Sequence, residues 1–91
     1  MPLTWPAKDP DEFLDYGIDW TPRLESSETI VSALWIPPPG VTTSNASWGD
    51  KVTVIWVAGG SHGVTYLFTN RITTSAGRIL EETAKLKVKN R

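Results

Sequence analysis

His62 is the one histidine of the 91-residue chain, and it lies in Gly59-Gly60-Ser61-His62-Gly63. Nucleophilic catalysis would need a serine, a histidine base and an orienting acid brought together in space. Ser61 adjoins His62 in sequence, which does not make it a partner in space, so the segment reads as a glycine loop that carries a histidine. It also lacks the following helix and the Lys-Ser/Thr pair of a phosphate loop. Asp9, Asp11, Asp15 and Asp19 are separated by even numbers of positions. A calcium site would need such carboxylates in one loop with a glycine turn. Asp15 and Asp19 fall on a predicted strand instead, and the set reads as a solvated acidic face. There is no cysteine, which excludes disulfide staples, thiolate chemistry and cysteine metal sites. Asn45-Ala46-Ser47 has the form of a glycosylation acceptor, but no secretory signal accompanies it. No catalytic residue, metal ligand or cofactor-binding residue is assigned, no cofactor is expected, and the reading is non-enzymatic.

The elements that position these residues are strands. Gly63 to Thr74, the turn Ser75-Ala76-Gly77 and Arg78 to Asn90 read as two long strands with a tight connection. Tyr66, Phe68 and Ile72 share one face with Asn70 between them, and Ala84, Leu86 and Val88 repeat that spacing beside Lys85, Lys87 and Lys89. Strict alternation over this length is a half-buried antiparallel pair. Leu14, Tyr16, Ile18 and Trp20 alternate with Asp15 and Asp19 in an earlier strand, which Pro22 stops. Glu28 to Ile36 is apolar on both parities, as in a strand buried on one face and partly covered on the other, or one that carries a bulge. Pro37-Pro38-Pro39-Gly40 ends it as a rigid corner. Val41 to Ser47 is a weaker, polar strand, and Trp48-Gly49-Asp50 a turn. Lys51 to Ala58 is strongly apolar, with Val52, Val54 and Trp56 on one side and Ile55 and Val57 on the other. The expected core is Ile18, Ile30, Leu34, Val54, Trp56, Tyr66, Phe68, Ile72, Leu86 and Val88.

Turn signals between these strands, with no amphipathic helix, predict an all-β fold: an immunoglobulin-like antiparallel β-sandwich of six to seven strands. The apolar strand, the glycine loop and Gly63-x-x-Tyr66 correspond to strands E and F with their corner. Residues 1–12 carry Pro2, Pro6 and Pro10, and proline at that density opposes helix and central strand. They are expected to form an extended N-terminal arm, with residues 13–91 as the sandwich. The net charge of −1 offers no basic field for nucleic acid. No apolar run reaches the roughly 20 residues that span a bilayer, so no membrane partner is expected. The N-terminus has no basic segment followed by an apolar core and is not a signal peptide.

Five tryptophans are many for a core this small, and tryptophan is enriched at interaction hot spots. Trp20, Trp35 and Trp56 fall inside strands. Trp5 in the arm and Trp48 at a turn either fold back on the sandwich or anchor a partner. With Pro37, Pro38 and Pro39, a run suited to an aromatic groove, they form the candidate interface. Acidic residues crowd the first third and basic residues the last. Asp15 and Asp19 are expected beside Lys85, Lys87 and Lys89, as a strip between the first and last strands.

Several segments carry a resemblance: Lys8-Asp9-Pro10-Asp11, Asp15 to Trp20, Trp35-Ile36-Pro37, Gly40-Val41, Val54 to Gly60, Gly63 to Arg78 and Leu86 to Lys89. Together they resemble the small phage and prophage proteins encoded among head and tail structural genes, some of them fiber–tail adaptor-like. The resemblance covers nearly the whole chain, although the last segment also resembles bacterial Ig-like domains in general. The Pro37-Pro38-Pro39 run departs from it, being longer than the single proline expected there. The resemblance implies a non-enzymatic structural component of a tailed-phage virion. Such a component is made in the bacterial host cytoplasm, multimeric in the particle, and docked on capsid, neck or tail, with fibre attachment as one form of that role. A glycan-binding module, with exposed tryptophans and threonine-rich faces, is the alternative. A small inhibitor or enzyme-associated β domain is a third reading.

Overall fold

The computed structural model describes residues 3–90. Met1 and Pro2 of the expected arm, and Arg91 of the basic set, lie outside the described residues. Seven strands follow in order: β1 (Leu3–Thr4), β2 (Leu14–Asp19), β3 (Ile30–Ile36), β4 (Val41–Trp48), β5 (Val52–Gly59), β6 (Thr65–Thr74) and β7 (Ile79–Lys87). They form a four-stranded sheet, β1-β7-β6-β3, and a three-stranded sheet, β2-β5-β4. The core β7-β6-β3 and β2-β5-β4 arrangements are those of strands G-F-C and B-E-D of an immunoglobulin-like sandwich. All pairs are antiparallel except β1 with β7, which is parallel, Leu3 opposite Ala84 and Thr4 opposite Lys85.

The alternation of β6 and β7 translates directly into burial. Tyr66, Phe68, Asn70, Ile72 and Thr74 point inward from β6, and Ala84, Leu86 and Val88 from β7 and its end. Asn70 is a polar group at full burial and must find partners there. Its Oδ1 accepts from Trp20 Nε1 at 3.0 Å and from Thr53 Oγ1 at 2.6 Å, while its Nδ2 donates to the Leu34 carbonyl at 3.0 Å. One amide thereby joins four segments from both sheets.

Three expected core residues lie elsewhere. In β5 both parities are apolar, and the inward set is Thr53, Ile55 and Val57. Thr53 must face inward to reach Asn70, so Val54 and Trp56 turn outward and are half-buried. In β3 the register shifts between Ile30 and Ser32. That extra residue reverses the phase, so Ile30 and Trp35 are buried while Leu34 is 53% exposed.

The corner between β5 and β6 follows the expected pattern. Tyr66 Oη accepts from the Ser61 N–H at 2.8 Å. Gly60 has φ +98, and a Cβ there would lie 2.8 Å from Val88 Cγ2, so the tight corner admits only glycine.

The acidic–basic strip does not form. Asp15 and Asp19 lie on β2, in one sheet, and Lys85 and Lys87 on β7, in the other. The edge beside β7 is taken by residues 3–8 instead. Asp19 accepts from Thr21 Oγ1 at 2.6 Å and Thr21 N at 3.0 Å, and these bonds hold its pKa below the usual carboxylate value. Charge pairs form instead at Arg23–Glu82, Arg71–Glu81 and Arg78–Glu28.

Glu28 is the most constrained carboxylate. It is buried, chelates Arg78 through both oxygens and accepts from Thr74 Oγ1. The Arg78 and Thr74 bonds, with a backbone bond to Glu25, lower its pKa from 4.5 to about 2. A folded pKa below the unfolded one gives stability that is complete above about 4.5 and is lost as pH falls toward about 2. Glu28→Gln should therefore flatten the acid side of the melting-temperature profile, as read by thermal scans between those pH values. Phe68→Ala, at a site with no solvent exposure, should cost about 3–5 kcal/mol in urea unfolding.

Candidate docking surface

A two-sheet sandwich has two lateral sides, each framed by an edge strand from either sheet. In this chain the two sides differ. The first is framed by the β1–β7 edge and by β2, and residues 3–8 run across it. Trp5 N–H donates to the Lys85 carbonyl at 2.8 Å, Lys8 N–H to Lys87 at 3.1 Å, and Lys89 N–H to Lys8 at 2.9 Å. The Trp5 ring stacks on Tyr16 at 4.8 Å and lies 5.3 Å from Phe68 and 5.9 Å from Trp35. Its Nε1 donates to the Gly17 carbonyl at 3.0 Å, and Tyr16 Oη donates to the Pro6 carbonyl at 3.0 Å. The Lys8 side chain is fully covered, and its ammonium donates to Gly59 O at 2.6 Å and Asp9 O at 2.9 Å. Burial pushes its pKa below the ordinary lysine value, against the opposing fields of Glu12, Asp9 and Asp11.

Trp5 is therefore corrected as an interface residue: it is 7% exposed and belongs to the core. Three aromatic rings and a backbone acceptor make the interior the better place for an indole whose N–H would otherwise be orphaned. Residues 3–8 of the expected arm are laid on the sandwich. They contribute to folding as well as to any assembly role.

The second side is framed by β3 and β4, and among the described residues no segment crosses it. A groove of about 340 Å³ runs between the two strands, lined by Ala33, Leu34, Trp35, Thr43, Asn45 and Ile55, among others. Trp35 keeps a buried Nε1–H with no acceptor among the described residues, an unusual state for a buried donor. Val31, Leu34 and Ile36 stand exposed along β3, and the neighbouring Leu67 of β6 extends this apolar surface outward. Pro37, Pro38 and Pro39 join β3 to β4 at one end of this side, with Pro37 and Pro39 exposed. Trp48, at the far end of β4, is 46% exposed. Of the five sequence candidates, Trp48 and the three prolines thus border the open side, and Trp5 lies inside the fold.

Sequence reasoning missed the groove and the β3 edge. The available signal was charge: from Thr29 through Gly49 there is no Asp, Glu, Lys, Arg or His, and that stretch is β3, the proline corner and β4. The residues first weighed for catalysis are dispersed. His62 Nδ1 accepts from the Asn90 N–H at 2.9 Å on an exposed loop. Among the described residues no group of three or more His, Asp or Glu is placed to hold a metal ion. Among the same residues no helix is long and apolar enough to cross a membrane.

A second surface feature lies on the outer face of the three-stranded sheet. Phe13 and Trp56 pack with ring centroids 5.0 Å apart. Asp15 and Ser44 flank Trp56 from the neighbouring strands.

Comparison with known proteins follows this geometry. Residues 8–87 match the family model of podophage GP4 fiber-tail adaptor protein gp77. The chain belongs to this family. It is thereby a phage virion structural protein by family, with an interaction among virion components as the family's coarse role. No curated protein gives a significant match. Among solved structures, the chain is similar to the solution structure of the PKD domain from KIAA 1837 protein. The TM-score is 0.61 at 24% identity, over 99% of this chain and 79% of that one. At that identity the likeness speaks for the fold alone, an Ig-like sandwich.

Because residues 3–8 complete the core, Trp5→Ala should cost about 3–5 kcal/mol. Removal of residues 1–8 should lower the cooperativity of urea unfolding rather than leave it unchanged.

Proposed function

We propose that the chain is a non-enzymatic structural adaptor of a tailed-phage particle. It docks through its open β3–β4 side on a neighbouring virion protein of the capsid, neck, tail or fibre. It is made in the host cytoplasm and carried in the virion in multiple copies, so that individually modest contacts gain avidity. The observation that carries this reading is a side that carries no charge, has no covering segment among the described residues and exposes Val31, Leu34 and Ile36 along β3. Natural sheets ordinarily protect edge strands with lysine, proline or a covering segment. Residues 3–8 cover one side, and among the described residues the other is bare. The family supports the coarse role, and the bare β3 edge is what favours this side for it.

The test places charge on the open side without touching the core. Leu34→Lys combined with Ile36→Lys alters exposed side chains, where substitution ordinarily changes stability by only about 0.5 kcal/mol. The variant should fold with a wild-type circular dichroism spectrum and fail to enter particles when it is supplied in place of wild type. Normal incorporation of the folded double variant would overturn the assignment of this side.

A second reading, a glycan-binding module, draws on the Phe13–Trp56 pair and its polar flanks. Phe13 is 50% exposed, and an aromatic ring beside a carboxylate and a hydroxyl suits a sugar's apolar face and its hydroxyl groups. Titration of the indole fluorescence with oligosaccharides, in wild type and Phe13→Ala, separates it from the adaptor reading.

A further inference from the structure

We infer that the neighbour engaged by the open side is a second copy of this chain, joined edge to edge through β3 about a two-fold axis. This rests on the reading of that side as the docking surface and names its occupant.

The choice of strand comes from backbone geometry. Two edges border the open side. In β4 the register breaks between Ser44 and Ser47, and Asn45 within that break has φ 52. Such an irregularity twists an edge away from further pairing. In β3 the irregularity is confined to Ile30–Ser32, and Ser32 to Ile36 pairs with Thr73 to Thr69 without interruption. The regular segment is therefore Ser32-Ala33-Leu34-Trp35-Ile36, with its free edge toward the open side.

The choice of partner comes from symmetry and charge. Two identical edge strands related by a two-fold axis pair antiparallel, and facing residues must share a face of the sheet. One residue then opposes its own image. For the regular segment that residue is Leu34, its centre. Ile36 then meets Ser32 of the second copy on the outer face. On the inner face Trp35 meets Ala33, a large side chain against a small one. Any charge near such an axis would face a like charge, which is destabilising between directly opposed strand residues. A foreign partner imposes no such demand. The whole stretch from Thr29 through Gly49 meets it, being free of charged residues. The adjacent charge on the outer face, Arg71 opposite Leu34, is already held by Glu81 across β6 and β7, Nε to Oε2 at 2.6 Å. Exposed Leu34 would pack on its own image and exposed Ile36 beside Ser32 of the second copy, and the two four-stranded sheets would become one continuous sheet.

The chain has no cysteine, so one introduced thiol reports one position. Leu34→Cys, treated with a short bis-maleimide in solution and in assembled particles, should give a single covalent dimer. Lys85→Cys, on exposed β7, should give none. Leu34→Lys and Leu34→Glu should each lose the dimer in sedimentation equilibrium, and an equimolar mixture should regain it as a heterodimer, because position 34 faces itself. The proposal is overturned if Leu34→Cys fails to cross-link in both solution and particles, or cross-links no better than Lys85→Cys. It is also overturned if mixing the two charge variants restores nothing when wild type is dimeric. Should cross-linking fail while the Leu34→Lys, Ile36→Lys variant is still excluded from particles, the docking side stands and only its occupant is wrong. Normal incorporation of that variant would remove the docking reading itself.

Discussion

A single buried amide sets the phase of this sandwich. Asn70 cannot lie at the centre of an apolar core unless its oxygen and its N–H₂ both find partners, since an unpaired buried polar group costs about 1–3 kcal/mol. Trp20 and Thr53 come from the opposite sheet to supply its donors, and the Leu34 carbonyl accepts from it within its own sheet. Each bond fixes a strand's parity. Thr53 inward forces Ile55 and Val57 inward and Trp56 outward. Trp20 inward brings Ile18 and Tyr16 with it on the alternation of β2. Hydrophobic burial drives collapse without direction, whereas this cluster admits one register in each strand that contributes to it.

That distinction explains what could be read from the residues alone. β2, β6 and β7 alternate strictly between apolar and polar positions, and their inward faces were legible, Asn70 included. The Tyr66 corner was legible because glycines and a tyrosine at fixed spacing have few other uses. β5 is apolar on both faces, so periodicity carries no phase, and the deciding residue was a threonine that composition alone marks as surface. β3 was ambiguous for a related reason. Its bulge was foreseen as one option, but not which residues would change sides, and Leu34 exchanged places with Trp35. The N-terminal stretch was misjudged because proline density speaks to local conformation. The covering of Lys8 and Trp5 depends on acceptors distant in sequence, the carbonyls of Gly59 and Gly17.

The candidate surface was half legible. Trp48 stood out as an indole with little of its own strand to bury against and the proline run as a segment suited to an aromatic groove, and both lie at the ends of β4. The groove between them was not visible, because it belongs to the space between two sheets and not to any one element. The uncharged run from Thr29 through Gly49 is the trace it leaves in the sequence. A strand pair that only served the core would have no reason to exclude charge from its outward positions, since lysine and glutamate are the ordinary protection of an edge.

The two lateral sides show how one small sandwich is given a direction. On the β1–β2 side the chain uses its own N-terminal residues as the added strand, with parallel ladder bonds to β7, a stacked tryptophan and a covered lysine. The β7 edge is thereby covered by β1. On the β3–β4 side an edge vacancy remains among the described residues, and its strands are uncharged where solvent would favour charge. An adaptor must join unlike or repeated neighbours without polymerising indefinitely. A molecule with both sides bare would stack edge on edge into an open fibre, as heterologous contacts do when they fail to close. Covering the β7 edge internally favours strand addition at β3, which presents the regular segment Ser32 to Ile36. A contact formed there leaves the outer face of the three-stranded sheet, with Phe13 and Trp56, turned toward whatever else the particle presents.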